Sequence, residues 1–378
     1  MTIILFITIM TIDFIFFLIR KQSIVLTISN IFIFSLIYAG NVREDISDIF
    51  KYKMQYISQA SSFSEPGYLF ITNIFSTLGV SFNGFLLIVY AFFIVSLLIL
   101  THKLHCNFAF LFFFFDLFYF FFSLEVLRSF IAFSFLLIGI FFLLKNQKCL
   151  YAISVLVATS IHFSMIVFMV LLVVNSNIIK DKAYKILACV CVGICIVTIL
   201  NNNQIPFVSN IFGFIADSFL GAKNSEFYNG TITAEHGWMY SSLYYLFNFS
   251  LLYAAKKLLK NISSCRILQL EILNKFYNIS FRANCLMGMV MPFAMMSPTY
   301  LRYIYFVSWM ILILLAGIIG EGYDSKWNGR ALQIATDSVT VNGFLCIFLT
   351  MMAWTACWWY VNPNAADMFY ALSQNMFY

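Results

Sequence analysis

The chain is an apolar, weakly charged polypeptide of 378 residues, of which 62% are hydrophobic and 10% are charged. Soluble domains carry roughly 45–50% apolar and about 25% charged residues, so this composition excludes a water-soluble enzyme and an intrinsically disordered chain. The net charge of +6 comes from 22 Lys and Arg against 16 Asp and Glu. In a membrane protein such a balance reflects cytoplasmic loops rather than binding to nucleic acid.

Apolar runs of about the length that crosses a membrane follow one another along the chain and predict an all-α, polytopic integral membrane protein. We expect eleven or twelve transmembrane helices, because the short runs on either side of His162 form either a broken pair or one tilted helix. The expected spans are residues 2–19, 24–40, 83–101, 106–123, 128–144, 149–161, 163–174, 186–200, 237–255, 276–297, 301–319 and 340–360.

The cations predict the orientation of these spans, because Lys and Arg concentrate in cytoplasmic loops. With the N-terminus outside, fifteen of the 22 cations fall on inner loops. The seven others are Arg43, Lys51, Lys53, Arg128, Lys223, Arg282 and Arg302.

Two long segments are then expected on the outer face, residues 41–82 and 201–236. In the first, apolar residues recur from Ile46 to Ile57 at helical spacing, which predicts an amphipathic helix lying at the membrane surface. Pro66-Gly67 is expected to end this region, and the apolar stretch 68–80 after it is interfacial or re-entrant. No internal repeat and no separate soluble domain is evident.

Three arginines outside the inner loops are candidates for binding phosphate. A guanidinium is always charged and makes bidentate contacts with phosphoryl oxygens. Arg128 begins a span three residues after Glu125, a spacing that also allows a local ion pair, and Arg302 begins another; for both, the plainer alternative is snorkelling to the interface. Arg282 lies within a span, where the plainer alternative is that it snorkels inward or pairs with Asn278 or Asn284.

Histidines and carboxylates on the expected outer face are candidates for acid–base chemistry. His162 stands between two short apolar runs, and His236 precedes a span. Asp45, Asp48 and Glu65 lie in the first outer segment, where the alternative is a solvated loop. The chain has no glycine-rich phosphate loop, no H-E-x-x-H, no paired C-x-x-C and no G-x-S-x-G. We therefore expect no metal and no cofactor.

Four short motifs, in this order, resemble the EpsG/Wzy-like bacterial polysaccharide polymerases. The first joins Arg43, Asp48-x-x-x-Tyr52 and Glu65-Pro66-Gly67-Tyr68. The second, from Leu127-Arg128, is similar to the family's R-x-x-x-A helix, and Ala158 to Ser164 is similar to its A-x-x-x-H-x-S element. Tyr300 to Tyr305 resembles its R-x-x-Y-F helix start. The likeness covers roughly residues 30–320, and it departs from the family where Ser47 and Ile49 replace a glycine and an aromatic residue around Asp48.

The resemblance implies an enzyme of the bacterial inner membrane that joins oligosaccharide repeat units carried on undecaprenyl diphosphate at the periplasmic face. It implies that Arg128 and Arg302, with Arg43 or Arg282, bind the diphosphate. His162, Asp48 and Glu65, in that order, are candidate bases. Tyr52, Tyr56, Tyr68 and His236 are candidate glycan contacts.

The implied partners are the lipid-linked oligosaccharide, membrane lipid, a flippase and a chain-length regulator. Two alternatives share the same chemistry: a flippase or exporter of the lipid-linked glycan, and an O-antigen ligase-like transferase.

Overall fold

The described part of the chain is built from helices, with no strand among its residues. The computed structural model describes residues 2–18, 23–40, 47–58, 65–118, 126–176, 179–201, 237–261, 267–296 and 300–324. The helices are α1 Thr2–Leu18, α2 Ile24–Gly40, α3 Ser47–Ser58, α4 Pro66–Thr77, α5 Phe82–Leu104, α6 Phe108–Phe118, α7 Leu127–Leu144, α8 Lys148–Ile161, α9 Leu171–Val174, α10 Asp181–Leu200, α11 Gly237–Asn261, α12 Ile267–Met287, α13 Met291–Met296 and α14 Leu301–Asp324, with a 3₁₀ helix at Phe163–Val170.

Four of the described helices are long and apolar enough to cross a membrane: α5, α7, α10 and the stretch Arg302–Gly320 of α14. Shorter apolar helical segments are Phe6–Phe16, Ile24–Gly40, Lys148–Ile161 and Phe163–Val174. The prediction of an all-α polytopic membrane protein is thereby confirmed. The last expected span, 340–360, lies outside the described residues, so the total of eleven or twelve stays a prediction.

The two short runs around His162 form a broken pair. Helix α8 ends at Ile161, and His162 takes an extended conformation before the 3₁₀ helix begins. The break places His162 between two helices instead of within one continuous helix.

The expected span 276–297 is interrupted, because α12 ends at Met287 and a turn at 288–290 precedes α13. A Cβ atom on Gly288 would lie 2.5 Å from the hydroxyl oxygen of Tyr245 and 3.0 Å from the Cβ of Cys191. Helices α10 and α11 therefore pack closely against α12 at this point, and a side chain at residue 288 would displace the Tyr245 hydroxyl.

The first outer segment contains two short helices. Helix α3 covers much of the stretch predicted to be amphipathic, but its buried side chains include Tyr52 and Tyr56, whereas Met54 and Ile57, assigned to the apolar stripe, are exposed. Pro66 is the first residue of α4, where its missing N–H costs no helical hydrogen bond. At 12 residues, α4 is too short to cross a bilayer.

Helix α14 lies at the centre of the bundle and is buried along almost its whole apolar length. It packs against α5, α6, α11 and α12. Aromatic rings fill the space around it: Trp309 contacts Phe93 and Phe115, with ring centroids 5.6 and 4.7 Å apart. This packing fixes the position of α14 along the axis of the bundle, and with it the position of the residues in its first turn.

The two ends of the bundle differ in chemistry. At the expected inner end, the ammonium of Lys275 donates to the carbonyls of Leu143 and Leu144, at 3.1 and 2.9 Å, and to the side chain of Asn146 at 2.6 Å. Gln269 there donates to the carbonyl of Lys103. Segments that the charge rule assigned to one side of the membrane therefore meet. The first turns of α4, α7 and α14 and the end of α8 meet at the opposite end.

Candidate functional site

A largely shielded ion pair between Arg128 and Glu65 forms the centre of the candidate site. Nη1 of Arg128 donates to both carboxylate oxygens of Glu65, at 2.8 and 2.7 Å. Glu65 immediately precedes α4, and the following proline favours the extended conformation seen there. Arg128 lies in the first turn of α7. The side chains of Arg128 and Glu65 are only 17% and 14% exposed, so little water screens the pair.

His162 extends this pair to a second arginine. Its Nδ1 lies 3.5 Å from Oε1 of Glu65, and its Nε2 lies 3.5 Å from Nη1 of Arg302. Arg302 is in the first turn of α14. The four side chains form one continuous row, Arg128–Glu65–His162–Arg302, assembled from four different elements.

Gly67 permits this approach, because α4 packs directly against the end of α8. A Cβ atom at residue 67 would lie 2.8 Å from the carbonyl carbon of Ser160 and closer still to its hydroxyl oxygen. Real Cβ contacts are not that short. Glycine in the Glu-Pro-Gly sequence thus brings Glu65 within reach of the histidine two residues after Ser160.

The charges around Glu65 keep it ionised. Burial acts to raise its pKa, but the hydrogen bond from His162 and the positive charge of Arg128 outweigh burial and hold the pKa below the ordinary 4.5. For His162, burial and the charges of Arg302 and Arg128 lower the pKa below 6.5, against the opposing effect of Glu65. At neutral pH the site therefore combines a carboxylate with a neutral imidazole, which is the protonation state of a general base.

The predicted glycan-contacting tyrosines pack within the protein. Arg128 lies over the ring of Tyr52, 6.0 Å from its centroid, and that ring contacts Tyr68 edge-on. Tyr56 donates to the carbonyl of Val80 at 2.8 Å and stacks on Phe85. Tyr56 and Tyr68 are 4% and 0% exposed, so protein covers their rings in this structure, and their role as glycan contacts stays a prediction.

Arg282, the fourth predicted diphosphate ligand, makes its described contacts elsewhere. Its Nε donates to Asp181 at 2.7 Å and its Nη1 to the carbonyl of Val174 at 2.8 Å, and it lies over the ring of Tyr184. Its described ion-pair partner is thus Asp181, a residue that sequence reasoning did not propose for it. Asn284 accepts from Asn248. The structure does not bring Arg282 into the row.

Several predicted residues fall outside the described structure. They are Arg43, Asp45, Glu125, His236 and nearly all of the segment 201–236. Asp48 lies in the first turn of α3, but its side chain is not described. The described carboxylate partner of Arg128 is Glu65, 63 residues away in the chain.

Sequence reasoning identified Glu65 as a candidate base but not as the partner that joins Arg128 to His162. It also missed the contact between Gly67 and Ser160. The Glu-Pro-Gly sequence was the available signal, since it places a carboxylate at a helix start beside a residue without a side chain. Together the row offers two guanidinium groups for an anion and an imidazole for a proton.

Comparison with known proteins identifies a family. No curated protein and no solved structure matches the chain. The model of the EpsG family matches residues 24–370, which includes all four members of the row. Since the match covers most of its length, the chain belongs to the EpsG family.

Proposed function

We propose that this protein joins oligosaccharide repeat units carried on undecaprenyl diphosphate, at the periplasmic face of the bacterial inner membrane. Membership of the EpsG family supports a role in polysaccharide polymerisation. The observation that carries the proposal is the row Arg128–Glu65–His162–Arg302, which places two cations and a neutral imidazole at one end of an apolar bundle.

Arg128 and Arg302 bind the diphosphate of the donor. They stand at the starts of two central helices, α7 and α14, and are held in place by the packing of those helices. A diphosphate leaving group gains negative charge as its bond to the sugar breaks. Guanidinium groups fixed beside that position stabilise the charge in the transition state more than in the ground state.

His162 accepts the proton of the acceptor hydroxyl. The hydroxyl oxygen of the incoming repeat unit bonds to the anomeric carbon of the donor sugar while the bond from that carbon to the diphosphate breaks. The bonding electron pair leaves with the lipid diphosphate, and the proton passes to the imidazole. Glu65 stabilises the imidazolium that results, as a carboxylate does in other histidine-based sites.

The proposed direction of the site follows from the charge rule. Lys145, Lys148 and Lys275 belong to the end opposite the row, and this lysine-bearing end is expected to face the cytoplasm. The row then faces the periplasm. A flippase that delivers the donor and a regulator of chain length are the partners that we expect for such an enzyme.

Deletion of the gene in the native bacterium, followed by electrophoresis of the surface glycan, tests the function. We expect the ladder of chain lengths to collapse to a single-repeat band, with restoration by a plasmid copy. Loss of even that band, with lipid-linked units accumulating, indicates an exporter. Accumulation of long lipid-linked polymers that are not transferred indicates a ligase. Either of these two results overturns the proposal.

A further inference from the structure

The two ring nitrogens of His162 face groups of opposite hydrogen-bonding character. Nε2 faces the guanidinium of Arg302, which only donates, and Nδ1 faces the carboxylate of Glu65, which only accepts when ionised. Nδ1 therefore carries the proton and Nε2 carries the lone pair. The partners on each side of the ring assign the tautomer.

In this arrangement His162 is held in one orientation, but the nitrogen that would act as the base is blocked by an arginine. The Nε2 lone pair, which would take the proton of a sugar hydroxyl, points at Arg302. Arg128 is similarly engaged, since its Nη1 donates to both carboxylate oxygens of Glu65. Each arginine that would bind a diphosphate is held by one member of the Glu65–His162 pair.

A diphosphate carries more negative charge than a single carboxylate and offers acceptor oxygens on two phosphoryl groups. It therefore competes with Glu65 for Arg128 and with the neutral imidazole for Arg302. Once Arg128 turns to the diphosphate, the Glu65 carboxylate is left with the Nδ1–H of His162. Once Arg302 turns, Nε2 becomes open to the acceptor hydroxyl.

We propose that Glu65 is a positioning residue that holds His162 as its Nδ1–H tautomer and occupies Arg128 until the lipid diphosphate of the donor displaces it. This inference rests on the proposed function and adds an order of events: the donor binds first and completes the base. Without a donor the hydroxyl of an acceptor, or of water, finds no free lone pair on His162. This exchange of arginine partners thus prevents His162 from accepting a proton before the diphosphate leaving group is bound.

The test is the Glu65→Gln variant of the full-length protein in detergent, assayed with a lipid-diphosphate-linked repeat unit. Glutamine keeps the size of the side chain but bonds Arg128 more weakly than a carboxylate does. We expect the donor KM to fall roughly fivefold while kcat falls at least tenfold. Binding of undecaprenyl diphosphate without sugar is expected to tighten by a similar factor. A residue with a purely structural role would not give tighter binding together with slower turnover.

The matched control is Asp181→Asn, which makes the same chemical change in an arginine ion pair at the other end of the bundle. We expect it to leave donor KM and kcat unchanged. An unchanged or raised KM in Glu65→Gln, or an unchanged kcat, overturns the inference, provided that Arg128→Ala weakens binding of undecaprenyl diphosphate. If Arg128→Ala does not weaken that binding, the diphosphate site itself is wrong and both proposals fall. Thermal unfolding of each variant separates loss of fold from loss of positioning.

Discussion

Nη1 of Arg128 contacts both carboxylate oxygens of Glu65, at 2.8 and 2.7 Å, across 63 residues of chain. The guanidinium thereby joins the first turn of α7 to the residue that immediately precedes α4. Because the pair is largely shielded from water, removing either partner leaves a poorly compensated charge. This contact sets the geometry on which the predictions for the site depend.

Replacement of Arg128 or Arg302 by alanine is expected to lower the rate of glycan polymerisation about 100-fold, because each removes a donor to the departing diphosphate. The rate of chain extension and the gel ladder at matched protein levels measure the effect. Lys148→Ala, an exposed cation at the opposite end, is the control and should behave as wild type. Full activity in Arg128→Lys or Arg302→Lys would show that a guanidinium is not needed at that position.

The pH dependence of kcat/KM should report the protonation of His162 in the free enzyme. Burial and the arginines lower its pKa below 6.5, so activity is expected to be full at neutral pH and to fall as the pH drops and the imidazole is protonated. In the described part of the site, its charged neighbours are Glu65, Arg128 and Arg302.

Two variants should shift the acidic limb of the pH profile, where activity falls with pH, in opposite directions. Glu65→Gln removes a charge that raises the pKa of His162, so the limb moves to lower pH. Arg302→Ala removes a charge that lowers the pKa, so the limb of its residual activity moves to higher pH. Identical profiles for the wild type and both variants would exclude His162 as the group whose ionisation limits the rate.

Gly67→Ala is expected to slow polymerisation severalfold without altering any polar group of the site. The new Cβ would meet the backbone of Ser160, so α4 has to move away from α8 and lengthen the 3.5 Å contact between Glu65 and His162. Overpacking of this kind costs about 1–3 kcal/mol in stability. Gly193→Ala is the control, because a Cβ there meets nothing within 4 Å. Wild-type activity in Gly67→Ala would show that the close approach is not required.

Arg282→Ala is expected to destabilise the fold while leaving the donor KM unchanged. Arg282 holds Asp181 and the carbonyl of Val174, and its loss leaves a buried acceptor unsatisfied at a cost of about 1–3 kcal/mol. A lowered midpoint of thermal unfolding in detergent, with normal KM in the folded fraction, is the expected result. A raised KM at unchanged stability would show that Arg282 contributes to the diphosphate site after all.

Much of the fold could be predicted because the membrane imposes simple rules on sequence. Apolar length predicted the helices. The segments that carry Lys103, Lys145 and Lys275, which the charge rule placed on one side, are in mutual contact, while the orientation itself stays a prediction. The shortness of the two runs beside His162 allowed either a broken pair or one tilted helix, and the structure shows the broken pair. The interruption at Gly288 was not predicted, since it depends on how closely α10 and α11 approach α12.

The composition and order of residues by themselves determined that this chain is an all-α membrane protein, and the motifs around Glu65, Arg128, His162 and Arg302 indicated its family. Only the tertiary structure decided which of these groups meet. In apolar surroundings, polar side chains must find partners, and those partners lie 63 to 140 residues away along the chain. Helix packing, which local periodicity does not encode, therefore pairs Arg128 with Glu65 and Arg282 with Asp181. It also places His162 between a carboxylate and a guanidinium.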